Sequence, residues 1–363
     1  MSLFPDFKPK GFPLLKLPLL ARKCVIYQMD FMKVLELSLM SLRFHYTMLF
    51  TKLQVDRFEF LLNNDFLGIA IKDQTRALYF QVNTITKVCY TWRVNKQKTL
   101  MSRKKDYSSV DRYSEGKNYR IEVRPRGYRI ETKIAMAEEL TQHFLGFLKV
   151  KEFGFESDMR PVSNDVENCF AFRYAKDFDN LEFNRQCYKR NPVTPEGLKF
   201  LFESLQSNKL IVNLHVTDPN VQYLNPLNTR YLKIVEPNWT NFPGLGDDVE
   251  RLELKNPFNE FPVEAVNKLM KNWIKGHYTK LADVIIWTRK VEDDLHEQLF
   301  SEINTVQTDF TDRDLRYRFL PPQSERLRDI VRVTDMRHAT VSFADDRVSI
   351  YVWQDKHLIA LLG

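Results

Sequence analysis

The stretch PVEAVNKLMKNWIKG, residues 262–276, gives the clearest indication of the fold. Pro262 is tolerated in the first turn of a helix, and Gly276 follows the point where the helix should end. The following run, Leu281–Trp287, is short and rich in branched residues, as a strand is. The apolar residues of the predicted helix fall on one face: Val263, Val266, Met270, Trp273 and Ile274.

Similar units extend toward the N-terminus from this helix and strand. Three apolar runs predict strands at Leu210–Val216, Arg230–Val235 and Val249–Leu254. Their centres lie about 19 residues apart, close to the period of roughly 20–29 residues in leucine-rich repeats. The centre of Leu281–Trp287 lies about 33 residues further on. We therefore expect a leucine-rich-repeat-like, solenoid-like stack of parallel strands.

Two local signals mark the ends of this α/β region. Thr194 followed by Pro195 predicts a helix start, because threonine caps free amides and proline tolerates the first turn. Thr340–Phe343 and Val348–Val352 alternate around the turn at residues 344–346, which predicts a closing β-hairpin.

The preceding segment, residues 52–134, alternates with a period of two and predicts antiparallel strands. Tyr119–Val123 and Tyr128–Ile130 flank Pro125-Arg126-Gly127 and predict a hairpin, and Ser102–Gly116 predicts an exposed loop. Upstream, residues 12–51 show helical spacing broken by turns, which predicts two or three short helices.

The predicted fold class is therefore α+β: three short N-terminal helices, an antiparallel β region, then a solenoid-like α/β domain closed by a β-hairpin. The boundaries are a flexible tail at 1–11, helices at 12–51, a β-rich region at 52–134 and the α/β domain at 135–363.

Composition excludes several classes of protein. The chain has 363 residues but only 11 glycines, and it contains neither G-x-G-x-x-G nor G-x-x-x-x-G-K-[ST]. These are the glycine-rich loops that bind the phosphates of nucleotides, so nucleotide enzymes of these two designs are excluded. The four cysteines form no C-x-x-C pair, so we expect neither a zinc site nor a disulfide framework. No apolar stretch of the sequence is long and uncharged enough to predict a membrane span. We expect a cytoplasmic or nuclear protein that is not an enzyme and needs no cofactor or metal.

The N-terminal segment carries a family motif. FPLLKLP at 12–18 and LSLMSLR at 37–43 resemble the opening and the close of an F-box of the nematode type, with Val25, Met29 and Leu35 between them. The C-terminal half is similar to the type 2 F-box-associated domain, best over 195–355. The matching C-terminal residues are Trp239, the helix at 267–276, Asp329, Ile330, Arg332, Ala339–Val341 and Tyr351–Trp353.

This resemblance implies a substrate-recognition subunit of a Skp–cullin–F-box ubiquitin ligase. The F-box would dock on the Skp-like adaptor of a cullin-RING ligase, and the associated domain would bind an unknown target protein. For target contact we select Trp239, Arg120 and Arg126. The residues expected at the adaptor contact are Leu17, Pro18, Val25, Met29, Leu35, Leu39 and Arg43.

Two alternatives stay open. Residues 93–133 hold 13 Lys/Arg against 5 Asp/Glu, a local charge of 13 − 5 = +8, interleaved with tyrosines. Such a segment can bind nucleic acid, although a solvated strand face explains it as well and is favoured. The other alternative is an F-box-derived scaffold that does not take part in a ligase.

Overall fold

The computed structural model shows a mixed α/β protein that folds into two compact units. The first is Met1–Leu61 with Asp65–Glu152, and the second is Leu62–Asn64 with Phe153–Gly363. The structure describes residues 14–63, 66–74, 76–83, 90–94, 97–105, 117–125, 129–158, 166–183, 192–214, 216–218, 221–223, 225–235, 244–255, 262–287, 295–306, 327–344 and 346–353. The tail predicted at 1–11 lies outside these ranges.

The first unit contains short helices, a sheet and one longer helix. Asp30 and Ser41 begin the second and third helices by accepting hydrogen bonds from the amides of Lys33 and Phe44. The elements are α1 (Leu19–Gln28), α2 (Phe31–Met40), α3 (Leu42–Thr51), β1 (Leu53–Leu62), β2 (Leu67–Lys72), β3 (Arg76–Val82), β4 (Tyr90–Val94), β5 (Gln97–Lys105), β6 (Lys117–Val123) and α4 (Ile130–Leu145).

The sheet of the first unit has the order β1-β2-β3-β6-β5-β4. The β2–β3, β4–β5 and β5–β6 pairs are antiparallel, as predicted, but β3 and β6 are parallel. Residues 102–105 belong to β5 rather than to a loop, and 106–116 lie outside the described residues.

The hairpin predicted around residues 125–127 is wrong. Ile130 begins α4 instead of ending a strand, and Met136, Leu140 and Phe144 are buried at four-residue spacing. The short run 128–130 resembles a strand only when the longer helical period beyond it is ignored. The expected domain boundary at 134/135 falls inside α4, whereas the two units divide at 152/153.

The second unit is a sheet whose parallel strands follow chain order. Its order is β7-β8-β9-β10-β11-β12-β15-β14-β13, parallel from β7 to β12 and antiparallel from β12 to β13. The elements are β7 (Leu148–Ser157, which crosses the division), α5 (Ala171–Tyr174), β8 (Asp177–Phe183), α6 (Pro195–Glu203), β9 (Gln206–Val212), β10 (Tyr231–Val235), β11 (Arg251–Lys255), α7 (Val263–Ile274), β12 (Asp283–Trp287), α8 (Leu295–Leu299), β13 (Leu327–Val331), β14 (His338–Ala344) and β15 (Arg347–Val352).

Several predictions for this unit are confirmed. Thr194 caps α6, since its hydroxyl oxygen accepts from the amide of Gly197 at 3.1 Å. β14 and β15 form the predicted hairpin. Gly276 follows α7 with φ +99°, and a Cβ there would lie 2.7 Å from Cγ2 of Thr334.

No described helix is long and apolar enough to cross a membrane.

Candidate functional site

The three N-terminal helices, residues 14–51, form a helical headpiece on the first unit. Each helix has ten residues, a length that is marginal in isolation and needs tertiary packing. The buried side of the headpiece lies mainly on α2, where Val34, Leu35 and Leu39 are completely inaccessible to solvent. The headpiece is therefore part of the core of its own unit.

Histidines join the headpiece to α4. The rings of His45 on α3 and His143 on α4 are stacked, with centroids 4.2 Å apart and an interplanar angle of 22°. The Ser38 hydroxyl lies 3.3 Å from Nε2 of His143 and donates to the carbonyl of Leu35 at 2.7 Å. At the end of α3, Lys52 Nζ donates to the carbonyl of Gly146 at 2.9 Å.

His143 is neutral in this environment. Burial, together with the neighbouring His45, lowers the pKa of His143 to about 3. A neutral imidazole tolerates stacking against a second histidine, whereas an imidazolium would be both desolvated and repelled. The contact between headpiece and α4 therefore depends on His143 remaining unprotonated.

The outer side of the headpiece is unusually apolar. Eleven large apolar or aromatic side chains are exposed in the described chain, and seven of them belong to the headpiece. Large contiguous patches of exposed apolar side chains are typical of interaction surfaces, so the concentration of such side chains in one segment makes the headpiece a candidate interaction surface. We call these seven the headpiece surface: Leu15, Leu19, Leu20, Tyr27, Met40, Tyr46 and Phe50.

Hydrogen bonds hold α1 beside α3. The Tyr27 hydroxyl donates to the carbonyl of Thr51 at 3.0 Å, which brings Tyr27 to the C-terminal end of α3. Arg22 Nη1 donates to the Thr47 hydroxyl at 3.2 Å and fixes the two helices a turn earlier. Tyr27 and Phe50, 55% and 64% exposed, thus lie on neighbouring helices.

The residues expected at the adaptor contact divide into three groups by exposure. Pro18 and Arg43 are exposed, and Leu17, Val25 and Met29 are half-buried. Leu35 and Leu39 are core residues rather than contact residues, because both are 0% exposed. Since α2 packs inward, its apolar stripe serves this chain's own core.

Sequence reasoning missed the most exposed members of the headpiece surface. Leu20, Cys24 and Tyr27, at positions i, i+4 and i+7, share one face of α1. All three are exposed, Leu20 by 77%. Tyr46 and Phe50 follow Arg43 on α3 at i+3 and i+7. A second apolar face on each helix was the available signal.

The residues selected for target contact receive little support. Trp239 and Arg126 lie outside the described residues. Arg120 is half-buried on β6, and its guanidinium carbon lies 5.7 Å from the ring centroid of Phe66. Arg120 therefore packs against its own unit.

Five of the C-terminal residues that carry the family resemblance form two contact groups joined through β13, which we call the closing corner: Trp273, Asp329, Arg332, Thr340 and Trp353. All five are at most 4% exposed. The guanidinium carbon of Arg332 lies 5.3 Å from the ring centroid of Trp273, and its Nε donates to Asp335 Oδ1 at 2.7 Å.

A hydrogen-bonded chain completes the closing corner. Trp353 Nε1 donates to the Thr340 hydroxyl at 2.8 Å, and that hydroxyl donates to Asp329 Oδ1 at 2.6 Å. Nearby, Asn267 Nδ2 donates to the carbonyls of Leu299 and Ser301 at 2.8 and 3.0 Å. These contacts place the motif residues in the core of the second unit.

The described side chains include no group of three histidines, cysteines or carboxylates that could hold a metal ion. The arrangement of the headpiece instead offers an apolar surface on short, internally anchored helices, which is suited to binding another protein. In comparisons with known proteins, no family model, no curated protein and no solved structure matches the chain.

Proposed function

We propose that this chain is a substrate-recognition adaptor of a Skp–cullin–F-box ubiquitin ligase, working in the cytoplasm or nucleus. The observation that carries the proposal is the concentration of exposed apolar side chains on the headpiece. The resemblance of residues 12–18 and 37–43 to F-box motifs supports a Skp-like adaptor as the partner.

The physical argument concerns the two sides of each helix. The inner side of the headpiece is already buried against the first unit, through residues such as Leu35 and Leu39. The outer side leaves Leu20, Tyr27 and Phe50 in water, where they contribute little to folding. A partner groove that covers them would gain apolar burial of about 25 cal/mol per Å² without unfolding the headpiece.

Co-purification with a Skp-like adaptor tests this proposal. We expect wild-type chain to retain the adaptor, and Leu20→Asp combined with Tyr27→Asp to weaken binding roughly tenfold or more, as loss of interface anchors does. Val333→Asp with Met336→Asp is the matched control, because these residues of the second unit are 73% and 68% exposed. Wild-type chain that fails to bind, or a control that loses binding equally, would refute the proposal and favour the scaffold.

The second unit would then hold the target, and its solenoid-like stack of parallel strands would be the recognition element. Ubiquitin transfer itself would belong to the cullin-RING assembly, so the chain would contribute no catalytic residue. Proximity labelling with the full chain, compared with the Leu20→Asp, Tyr27→Asp variant, would separate targets from ligase components.

Nucleic-acid binding is a second candidate, because β5 and β6 bring parts of the basic segment together. Their register places Lys104 opposite Arg120 and Lys105 opposite Tyr119. Phosphate contacts are strongest at low salt. Absence of binding to single-stranded RNA or DNA at about 50 mM salt would remove this candidate.

A further inference from the structure

The parallel sheet of the second unit has two chemically different faces. One face is buried and aliphatic, with Leu232, Ile234, Leu252 and Leu254 at most 3% exposed. Parallel sheets are ordinarily covered on both faces. On the opposite face, the aliphatic Ile211 and Ile285 lie in the same row as Glu253, and among the described residues this face also carries polar and aromatic side chains that are exposed or half-buried. We call these polar and aromatic residues the open face: Lys209, Tyr231, Arg251, Glu253, Lys255 and Trp287.

Part of the open face is neutralised internally. The Tyr231 hydroxyl donates to Glu253 Oε2 at 2.8 Å, and Lys233 Nζ donates to Glu253 Oε1 at 2.7 Å. Glu253 is therefore satisfied from two sides by β10. This carboxylate cannot also neutralise the remaining cations around it.

Three cations of the open face lack such a partner. Lys209, Arg251 and Lys255 are exposed, and none has a carboxylate oxygen within 4 Å in the part of the chain that the structure describes. Lys209, Tyr231 and Arg251 are aligned across β9, β10 and β11. Lys209 Nζ and Arg251 Cζ lie 5.6 and 5.4 Å from the Tyr231 ring centroid, so the two cations flank one ring.

An apolar anchor lies beside the third cation. Lys255 on β11 is opposite Trp287 on β12 in the strand register. Trp287 is half-buried, and the guanidinium carbon of Arg347 lies 5.1 Å from its ring centroid. Cations beside a partly accessible indole make a surface that recognises acidic residues next to a large apolar residue.

We propose that the open face binds an acidic, tryptophan- or leucine-containing peptide segment of a partner protein. Lys209 and Arg251 are two strands apart, about 10 Å. A peptide in the polyproline II conformation has three residues per turn and a rise of about 3.1 Å per residue, so its side chains at i and i+3 lie on one side, about 9 Å apart. Carboxylates at i and i+3 therefore match the two cations, while an apolar side chain packs on Trp287. This inference rests on the proposed function insofar as it names the class of target.

Peptide binding to the purified full chain, without any adaptor present, tests the inference. The probe is a fluorescein-labelled peptide of glutamate, leucine and tryptophan with glutamates three residues apart, followed by fluorescence anisotropy. We expect Arg251→Glu with Lys255→Glu to weaken binding roughly tenfold or more at about 20 mM salt. Lys149→Glu with Lys268→Glu, equal in charge change and exposed elsewhere, is the control and should change binding less than about twofold.

Two results would overturn the inference. One is that the wild-type chain does not bind the peptide at low salt, or that both double variants lose it equally. The other is that a single-stranded oligonucleotide binds the open face more tightly than the peptide and loses binding in Arg251→Glu, Lys255→Glu. Because no adaptor is present, these outcomes are independent of whether the headpiece binds a Skp-like protein. Trp287→Ala, which changes no charge, is a second test variant and should also weaken binding of the peptide.

Discussion

The headpiece and the closing corner carry the two parts of the family resemblance, but they use their side chains in opposite ways. The five corner residues are at most 4% exposed, and each of them makes a hydrogen bond or a cation–ring contact within the second unit. In the headpiece, Leu20, Tyr27 and Phe50 are more than half exposed, and the fold gives no reason for their apolar character. The comparison teaches that a partner is indicated by the residues that packing leaves exposed, even where they lie beside the motif rather than in it.

The largest expected effect lies in the closing corner. Trp273→Ala removes a side chain that is 3% exposed and supports the Arg332 guanidinium, so we expect a loss of about 3–5 kcal/mol in the free energy of unfolding. Urea unfolding measures it. Trp287→Ala is the control of the same residue type, and its half-buried position predicts a smaller loss. Equal losses would mean that the corner is not a core.

The next effect concerns the anchoring of the headpiece. Because the folded pKa of His143, about 3, lies below its unfolded value of 6.5, its contribution to stability is complete above pH 6.5 and is lost as the pH falls below 6.5 toward 3. One such proton gives about 1.4 kcal/mol per pH unit, or about 2 kcal/mol between pH 6.5 and pH 5.

Urea unfolding at pH 7 and pH 5 measures this dependence. We expect His143→Gln to remove this part of the pH dependence, whatever its stability at pH 7. His277→Gln, a change of an exposed histidine in the second unit, should leave the dependence as in the wild-type chain. An unchanged slope in His143→Gln would show that the stacked histidines do not anchor the headpiece.

A smaller effect is expected from the hydrogen-bonded chain of the corner. Thr340→Val keeps the shape of the side chain but removes the hydroxyl that accepts from Trp353 and donates to Asp329. We expect a loss of about 1–2 kcal/mol, because buried partners lose a hydrogen bond. Thr340→Ser should restore most of it in the same unfolding assay. If neither Thr340→Val nor Thr340→Ser changes the free energy of unfolding, these hydrogen bonds do not stabilise the closing corner.

The same contrast explains how much the sequence could predict. The helix at 263–274, the cap at Thr194 and the hairpin of β14 and β15 follow from local signals, and all are confirmed. The parallel pairing of β3 with β6 depends on contacts between distant residues, which no local period encodes. The leucine-rich-repeat-like solenoid stays a prediction.

For the candidate site, the sequence indicates a segment but not which of its residues are exposed. An apolar helical segment at 12–51 indicates a packing surface without showing which face the chain covers itself. Leu35 and Leu39 were expected outward and lie in the core, whereas Leu20 was not selected and is 77% exposed. Only the packing of α2 against the rest of the first unit separates these two roles.

The smallest effect on stability should accompany the largest effect on partner binding. Leu20→Ser changes an exposed side chain, so we expect the free energy of unfolding to change by less than about 0.5 kcal/mol. Leu35→Ala, a change of a fully buried leucine in the same headpiece, should cost about 2–5 kcal/mol. On the proposed function, adaptor retention by Leu20→Ser should nevertheless fall, because the substitution removes an exposed apolar side chain from the headpiece surface. If Leu20→Ser destabilises the chain as much as Leu35→Ala does, the outer side of the headpiece is core like the inner side, and the contrast with the closing corner disappears.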